Sequence, residues 1–229
     1  MERKFEEELD ELKQALLDLG AQVERNIGDA LHSLITRDPA LAKEVISRDP
    51  AVDFREIHID ELCLSILARR QPVARDLRFL TTSLKIVKDL ERVGDMSKDI
   101  SEHVLEILRQ ASLADLPDLP LMAMSAQAML RRALDAFVNR DPTLARQVIG
   151  EDDQVDEMHA RVWTEIVEAM TRDPALIPPL AHLFSIAKYV ERIGDHSANV
   201  AEMVVFMVEG KDIRHFEKVR ALREQTGQG

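Results

Sequence analysis

Phe5, Leu9, Leu12, Leu16, Leu19, Val23, Ile27, Ala30 and Leu34 follow one another in steps of three and four, the spacing that keeps one stripe of a long helix facing inward. The pattern predicts a first helix over 3–36. TRDPALAKEVI at 36–46 then opens a second helix, and the same phrase returns as NRDPTLARQVI at 139–149. In both, the aspartate (Asp38, Asp141) can cap free amides, while Pro39 and Pro142 occupy the first helical position, where a missing amide costs nothing. A third helix is expected from QPVARDLRFL, with Pro72 as punctuation, to about Leu108. Its apolar stripes are Leu80, Leu84, Val87 and, beside it, Ile86, Leu90, Val93, Ile100, Val104. ASLADLPDLP at 111–120 reads as a linker, because its prolines interrupt the period. In TRDPALIPPL, Pro178 and Pro179 predict that regular helix resumes only after them.

A second repetition reinforces the first. KDLERVGDMS at 88–97 and KYVERIGDHS at 188–197 share six of ten positions, and Val93 becomes Ile193. The offset between halves is 103 residues at the Asp-Pro phrase and 100 at this decapeptide, so three residues are lost between them, at the turn joining helices two and three. The expectation is an all-α protein of six helices, two tandem three-helix bundles related by an internal repeat. The divisions are 1–110 for the first repeat, 111–120 for the linker, 121–209 for the second repeat and 210–229 for a polar tail. The two units can share one long bundle.

Composition narrows the function. Across 229 residues aromatics make up only 4%, with eight glycines and nine prolines, a helical mix in a chain long enough to need no disulfide or metal for stability. A formal charge of −12 argues against nucleic acid and anionic lipid, which bind clustered Lys and Arg. The single cysteine, Cys63, sits in IDELCLSIL and is expected to pack as a small hydrophobe. MERKFEEELDELK lacks the apolar core a signal peptide needs, and no uninterrupted apolar run reaches the length of a membrane span. A cytoplasmic location follows as the expectation.

The repeated acids carry the chemistry. Residues four apart share a helix face, so Glu91 and Asp95 continue the stripe that begins as core at Leu80, and Glu191 and Asp195 do the same. On the second helix Val45 leads to Asp49, Val52 and Asp53; in the other half Val148 leads to Asp152, Val155 and Asp156. Four carboxylates per half can therefore converge. Two charges about 4 Å apart at an effective dielectric near 20 repel by about 4 kcal/mol. Protonation, basic neighbours such as Arg92 and Arg192, or bound cations must relieve this; cations account best for the duplication. All-oxygen sites suit hard cations such as Mg, Ca, Mn or ferric iron, and an added histidine admits zinc or ferrous iron. Asp49 has a competing use as the cap of a helix restarted at Pro50. His159 and His196 are side candidates, since their counterparts are Glu56 and Met96, and Asp99 faces Asn199 across the repeat. Gly94 and Gly194 mark a close approach of another backbone. No Ser-His-Asp or Cys-His set and no glycine-rich phosphate loop is present, and the paired Glu-x-x-His of diiron oxidases is missing, so no catalytic residue is assigned.

The duplicated acidic motifs, RQPVARDLR leading into the third helix and GKDIRH at 210–215 together resemble the PhoU family, the accessory and regulatory proteins of phosphate-specific transport. The resemblance spans nearly the whole chain. It implies two three-helix bundles, each holding a multinuclear metal cluster of iron or zinc, with ligands Asp49, Asp53, Glu91, Asp95 and Asp152, Asp156, Glu191, Asp195. It also implies restraint of phosphate uptake and of the phosphate-starvation response, acting between the phosphate ABC transporter ATPase and a membrane-bound sensor histidine kinase; a homodimer is the expectation for such a bundle. DLR at 76–78 has no second-half equivalent, the aligned residues reading LIP, so a contact centred on Asp76 and Arg78 would belong to one half only. Two other readings compete: a metal-dependent redox or hydrolytic enzyme, and a metal-free scaffold whose acids are balanced by Lys88, Arg92, Lys188 and Arg192.

Overall fold

A computed structural model describes residues 2–110 and 118–213. Its six long helices are α1 (Glu2–Thr36), α2 (Pro39–Arg69), α3 (Ala74–Leu108), α4 (Asp118–Asn139), α5 (Pro142–Arg172) and α6 (Ile177–Glu209), with a single 3₁₀ turn, Pro174–Leu176, before the last. No strand occurs among the described residues. The fold is all-α, two tandem three-helix bundles related by the internal repeat. The stripe from Leu12 to Leu34 is buried as the spacing predicts.

Identical chemistry turns the corner in both halves. Arg37 and Arg140 end α1 and α4 with φ of 56° and 51°, and the amides of Asp38 and Asp141 reach back to the carbonyls of Ser33 and Ala136 at 2.9 Å. This is the left-handed closure usually given to glycine. Asp38 Oδ1 then accepts from the amides of Ala40 and Leu41, and Asp141 Oδ1 from Thr143 and Leu144, so the expected caps form.

The three-residue deletion lies at the α5–α6 corner, the counterpart of the α2–α3 turn, as the offsets predict. Arg70 closes α2 and Val73 opens α3. In the second half Asp173 closes α5 and caps the 3₁₀ turn that leads into α6: its amide donates to the Ala169 carbonyl at 3.0 Å and its side chain accepts from Ala175 at 3.0 Å. Three expectations are corrected. The helix α4 begins at Asp118, inside the stretch 111–120 read as linker, because Pro120 falls in the first turn and breaks no bond there; residues 111–117 lie outside the described residues. The helix α6 begins at Ile177, with Pro178 and Pro179 inside its first turn, where their missing amides are not needed. Pro50 stands within an unbroken α2, so no helix restarts after Asp49. Gly210, at φ 72°, closes α6; the rest of the expected tail from 214 onward lies outside the described residues.

The halves are not separate bodies. One apolar core takes buried residues from all six helices, and α3 and α6 pack along their whole length in opposite directions. Their polar contacts keep a constant register: Arg78 with Met207, Asp89 with His196, His103 with His182. Cys63 is fully buried in this core, and burial, ahead of the nearby Asp60 charge, pushes its thiol up to about 12. It packs as a hydrophobe.

Both motif glycines sit where a neighbouring helix presses. A Cβ on Gly94 would meet Val52 Cγ1 of α2 at 2.8 Å, and one on Gly194 would meet Asp152 Oδ1 and Val155 Cγ1 of α5 at 3.3 Å. Removing a helical glycine returns about 1 kcal/mol, whereas overpacking costs about 1–3 kcal/mol. Gly94→Ala is therefore expected to lower the melting temperature and Gly194→Ala to leave it within error, a contrast that paired thermal melts measure.

Candidate metal centres

On α2, Asp49, Asp53, Glu56 and Asp60 fall at i, i+4, i+7 and i+11 and form one stripe facing α3. Gly94 lets the two helices close, and α3 supplies Glu91 and Asp95. Oxygens of Asp49, Asp53 and Asp95 lie within 4.8 Å of one another. Asp49 is buried, Asp95 half-buried and Asp53 exposed, so the trio opens to solvent on one side. Asp49 Oδ2 accepts from Lys98 Nζ at 2.7 Å, while its Oδ1 is buried without a partner. Arg92 stands 3.5 Å from Asp95 and 3.6 Å from Glu91. Burial first, and then the Asp49 charge, pushes the Asp95 carboxyl above its usual range.

Glu91 does not join that trio. It lies one turn back along α3, among a second group built from Glu56, Asp60 and Lys88. Lys88 pairs closely with Glu56 and stands 3.9 Å from Asp60. Burial, followed by the Asp95 charge, pushes Glu91 up; burial also raises Asp60, against Lys88, and Asp60 Oδ1 is buried without a partner. Glu56 and Asp60 were not among the expected ligands. Their signal was the continuation of the Asp49–Asp53 stripe by a further two turns.

The second half repeats the plan with different neighbours. Asp152 and Asp156 on α5 face Glu191 and Asp195 on α6. Among the described residues these form no trio within 4.8 Å, yet they feel one another: burial, then Asp195 and Asp156, pushes Asp152 up to about 6. Burial, then Glu191 and Asp156, raises Asp195. The position of Lys98 is taken by Ala198, so Asp152 has no lysine there to answer it. Lys188 Nζ instead donates to both Glu191 oxygens at 2.7 Å. His159 replaces Glu56 in the stripe and its Nε2 is buried without a partner. His196 turns away, its Nδ1 lying 2.8 Å from Asp89 Oδ1 across the α3–α6 seam. Trp163 takes the place of Asp60 and packs edge-on against Phe184.

These donors fit a hard or borderline cation. The first half offers oxygens only, two of them buried and unpartnered; the second adds one imidazole nitrogen. Both leave carboxylates at half-buried positions where a cation would offset their repulsion.

Two three-helix bundles carrying duplicated acidic stripes define an all-α repeat protein, and comparison with known proteins places it in a family. The PhoU domain model matches twice, at residues 16–104 and 119–204. The chain is 35% identical over 223 residues, 97% of its length and 92% of the relative's, to the phosphate-specific transport system accessory protein PhoU homolog of Pseudomonas aeruginosa. It is 34% identical over 212 residues, 93% of its length and 88% of the relative's, to the phosphate-specific transport system accessory protein PhoU of Escherichia coli. The crystal structure of PhoU from P. aeruginosa superposes with a TM-score of 0.88 at 35% identity, covering 90% of this chain and all of that one. The phosphate transport system regulatory protein PhoU from Streptococcus pneumoniae gives 0.85 at 31% identity, covering 91% and 99%. The chain belongs to the PhoU family.

The raised Asp152 carboxyl fixes a pH response of metal-stripped protein. Its folded value, about 6, lies above the ordinary 3.8, so its contribution is full below pH 3.8 and is lost as pH rises through 6. Asp152→Asn is expected to raise the melting temperature at pH 7.5 and to change it little at pH 4. His103 works in the opposite sense, because burial and then His182 push its imidazole below 6.5; its contribution is full above 6.5 and falls on acidification. His103→Gln is expected to flatten the loss of stability between pH 7 and 5. Thermal melts across pH check both.

Proposed function

We propose that this chain is a metal-binding cytoplasmic adaptor that restrains phosphate uptake and the phosphate-starvation response by binding, without catalysis. The partners in this reading are the phosphate ABC transporter ATPase and a phosphate-sensing histidine kinase, and the working form is a homodimer. Its support is family membership, since the curated relatives are accessory proteins of phosphate-specific transport by name. None of the described helices is long and apolar enough to cross a membrane, so contact with a transporter would run through partner surfaces.

The observation that carries the metal part is the trio Asp49, Asp53 and Asp95, three carboxylate oxygens within 4.8 Å with Asp49 Oδ1 buried and unpartnered. The first centre would draw on Asp49, Asp53, Glu91 and Asp95, and the second on Asp152, Asp156, Glu191 and Asp195. A bound cation would neutralise each cluster and lock the angle between paired helices. The metal-free scaffold reading draws its own support from Lys98 on Asp49 and Lys88 on Glu56, which already supply internal cations in the first half.

Elemental analysis of purified protein separates the two. Wild type is expected to carry iron or zinc and the Asp95→Ala plus Asp195→Ala double variant to lose most of it; equal emptiness in both would leave the scaffold reading standing. Loading should also stabilise the fold, by about 2.7 kcal/mol when free metal stands at about a hundred times its dissociation constant, and chemical denaturation reads that shift.

A further inference from the structure

A cavity of about 250 Å³ opens where α3 begins, α4 turns into α5 and α6 ends. It is lined by Arg75, Arg78, Phe79, Arg140, Met207 and Val208. Three guanidinium groups in one cleft are unexpected on a chain of net charge −12. Most other arginines of the described residues are spent on carboxylates: Arg48 on Asp29, Arg70 on Glu8, Arg146 on Glu209, Arg161 on Asp118. Among the described residues, Arg75, Arg78 and Arg140 form no ion pair. Asp76, in the first turn of α3, is the acid whose charge reaches Arg140, and it falls short of balancing three cations. Burial, and then repulsion from Arg75, holds the Arg140 guanidinium below its ordinary value against Asp76.

Two of the three are set in place beforehand. Arg78 Nε donates to the Met207 carbonyl at 3.3 Å, which leaves its terminal nitrogens for another acceptor. Arg140, in its left-handed backbone conformation, lies over the Phe79 ring at 5.9 Å from the centroid, and that ring stacks on Phe137. The helix α3 also starts without a side-chain cap, so its positive end adds to the same region. The repeat shows that this cleft is not a by-product of the fold. At the matching corner of the other half, Arg37 corresponds to Arg140, but Ala175, Pro178 and Pro179 stand where Arg75, Arg78 and Phe79 are. Arg75 and Arg78 have no basic counterpart in the other half.

We infer that the Arg75–Arg78–Arg140 cleft is an oxyanion site, built for a phosphoryl-type tetrahedral anion. Guanidinium forks match pairs of oxygens on such an ion. The cavity is smaller than sites that enclose drug-sized ligands, which favours inorganic phosphate or a single exposed phosphoryl group over a nucleotide. This inference does not rest on the acidic centres, which lie elsewhere on α3 and α6.

The test is titration calorimetry of inorganic phosphate into the full-length protein at low chloride, before and after treatment with a chelator. One saturable event per chain is expected, surviving chelation, displaced by sulfate and untouched by acetate. Arg75→Gln, at an exposed side chain outside the packed core, and Arg140→Gly, which suits the backbone there, should each weaken it on the order of tenfold or more; Arg161→Gln should not. Flotation with vesicles containing phosphatidic acid distinguishes the source: retention lost in the same two variants assigns the cleft to a lipid phosphoryl group and supports the site. Phosphate binding that vanishes on chelation, binding equal in wild type and both cleft variants, or no binding of phosphate or vesicles overturns it.

Discussion

Everything in this fold turns on holding like charges together inside a packed helical interface. Val52 and Val155 wedge against Gly94 and Gly194, bringing α2 onto α3 and α5 onto α6 closely enough that their acids meet at half-buried positions. Water screens such groups poorly, so each close pair costs on the order of several kcal/mol until something positive answers it. The halves answer differently. The first places Lys98 on Asp49 and Lys88 on Glu56; the second has Ala198 at the first of these positions and spends Lys188 on Glu191 of its own helix. The duplicated geometry is therefore compensated unequally: Asp152 has no lysine against it, and burial with the neighbouring acids pushes its carboxyl up to about 6.

The long antiparallel contact of α3 with α6 makes the two clusters parts of one object. Each of these helices carries acids for one cluster on one face and seam contacts to the other half on another. Asp89 and His196, and His103 and His182, sit on that seam.

The apolar register and the twin motifs made the helices, the caps and the deletion at the turn between the second and third helices of the repeat, realised at the α5–α6 corner, readable from the residues. The convergence of Asp49, Asp53 and Asp95 was readable too, because all three lie on helical stripes whose apolar members fix their direction. What escaped depends on partners distant in the chain. His196 was only a side candidate beside Asp195, and its Nδ1 lies against Asp89, 107 residues away. Lys98 was not among the expected balancing cations; α2 brings Asp49 to it. Glu56 and Asp60 lay one step beyond the motif, although their spacing continued it. The prolines of α6 were misplaced because their effect depends on which turn they occupy, which the deletion at the corner had shifted.

Asp173 has a mechanical consequence. A single residue that closes α5 and caps the 3₁₀ turn leaves no uncapped chain between Arg172 and Pro174, so that elbow is fastened by one residue's own amide and carboxylate. The α2–α3 elbow sets Arg70, Gln71, Pro72 and Val73 between its helices, spending three more residues on the same change of direction.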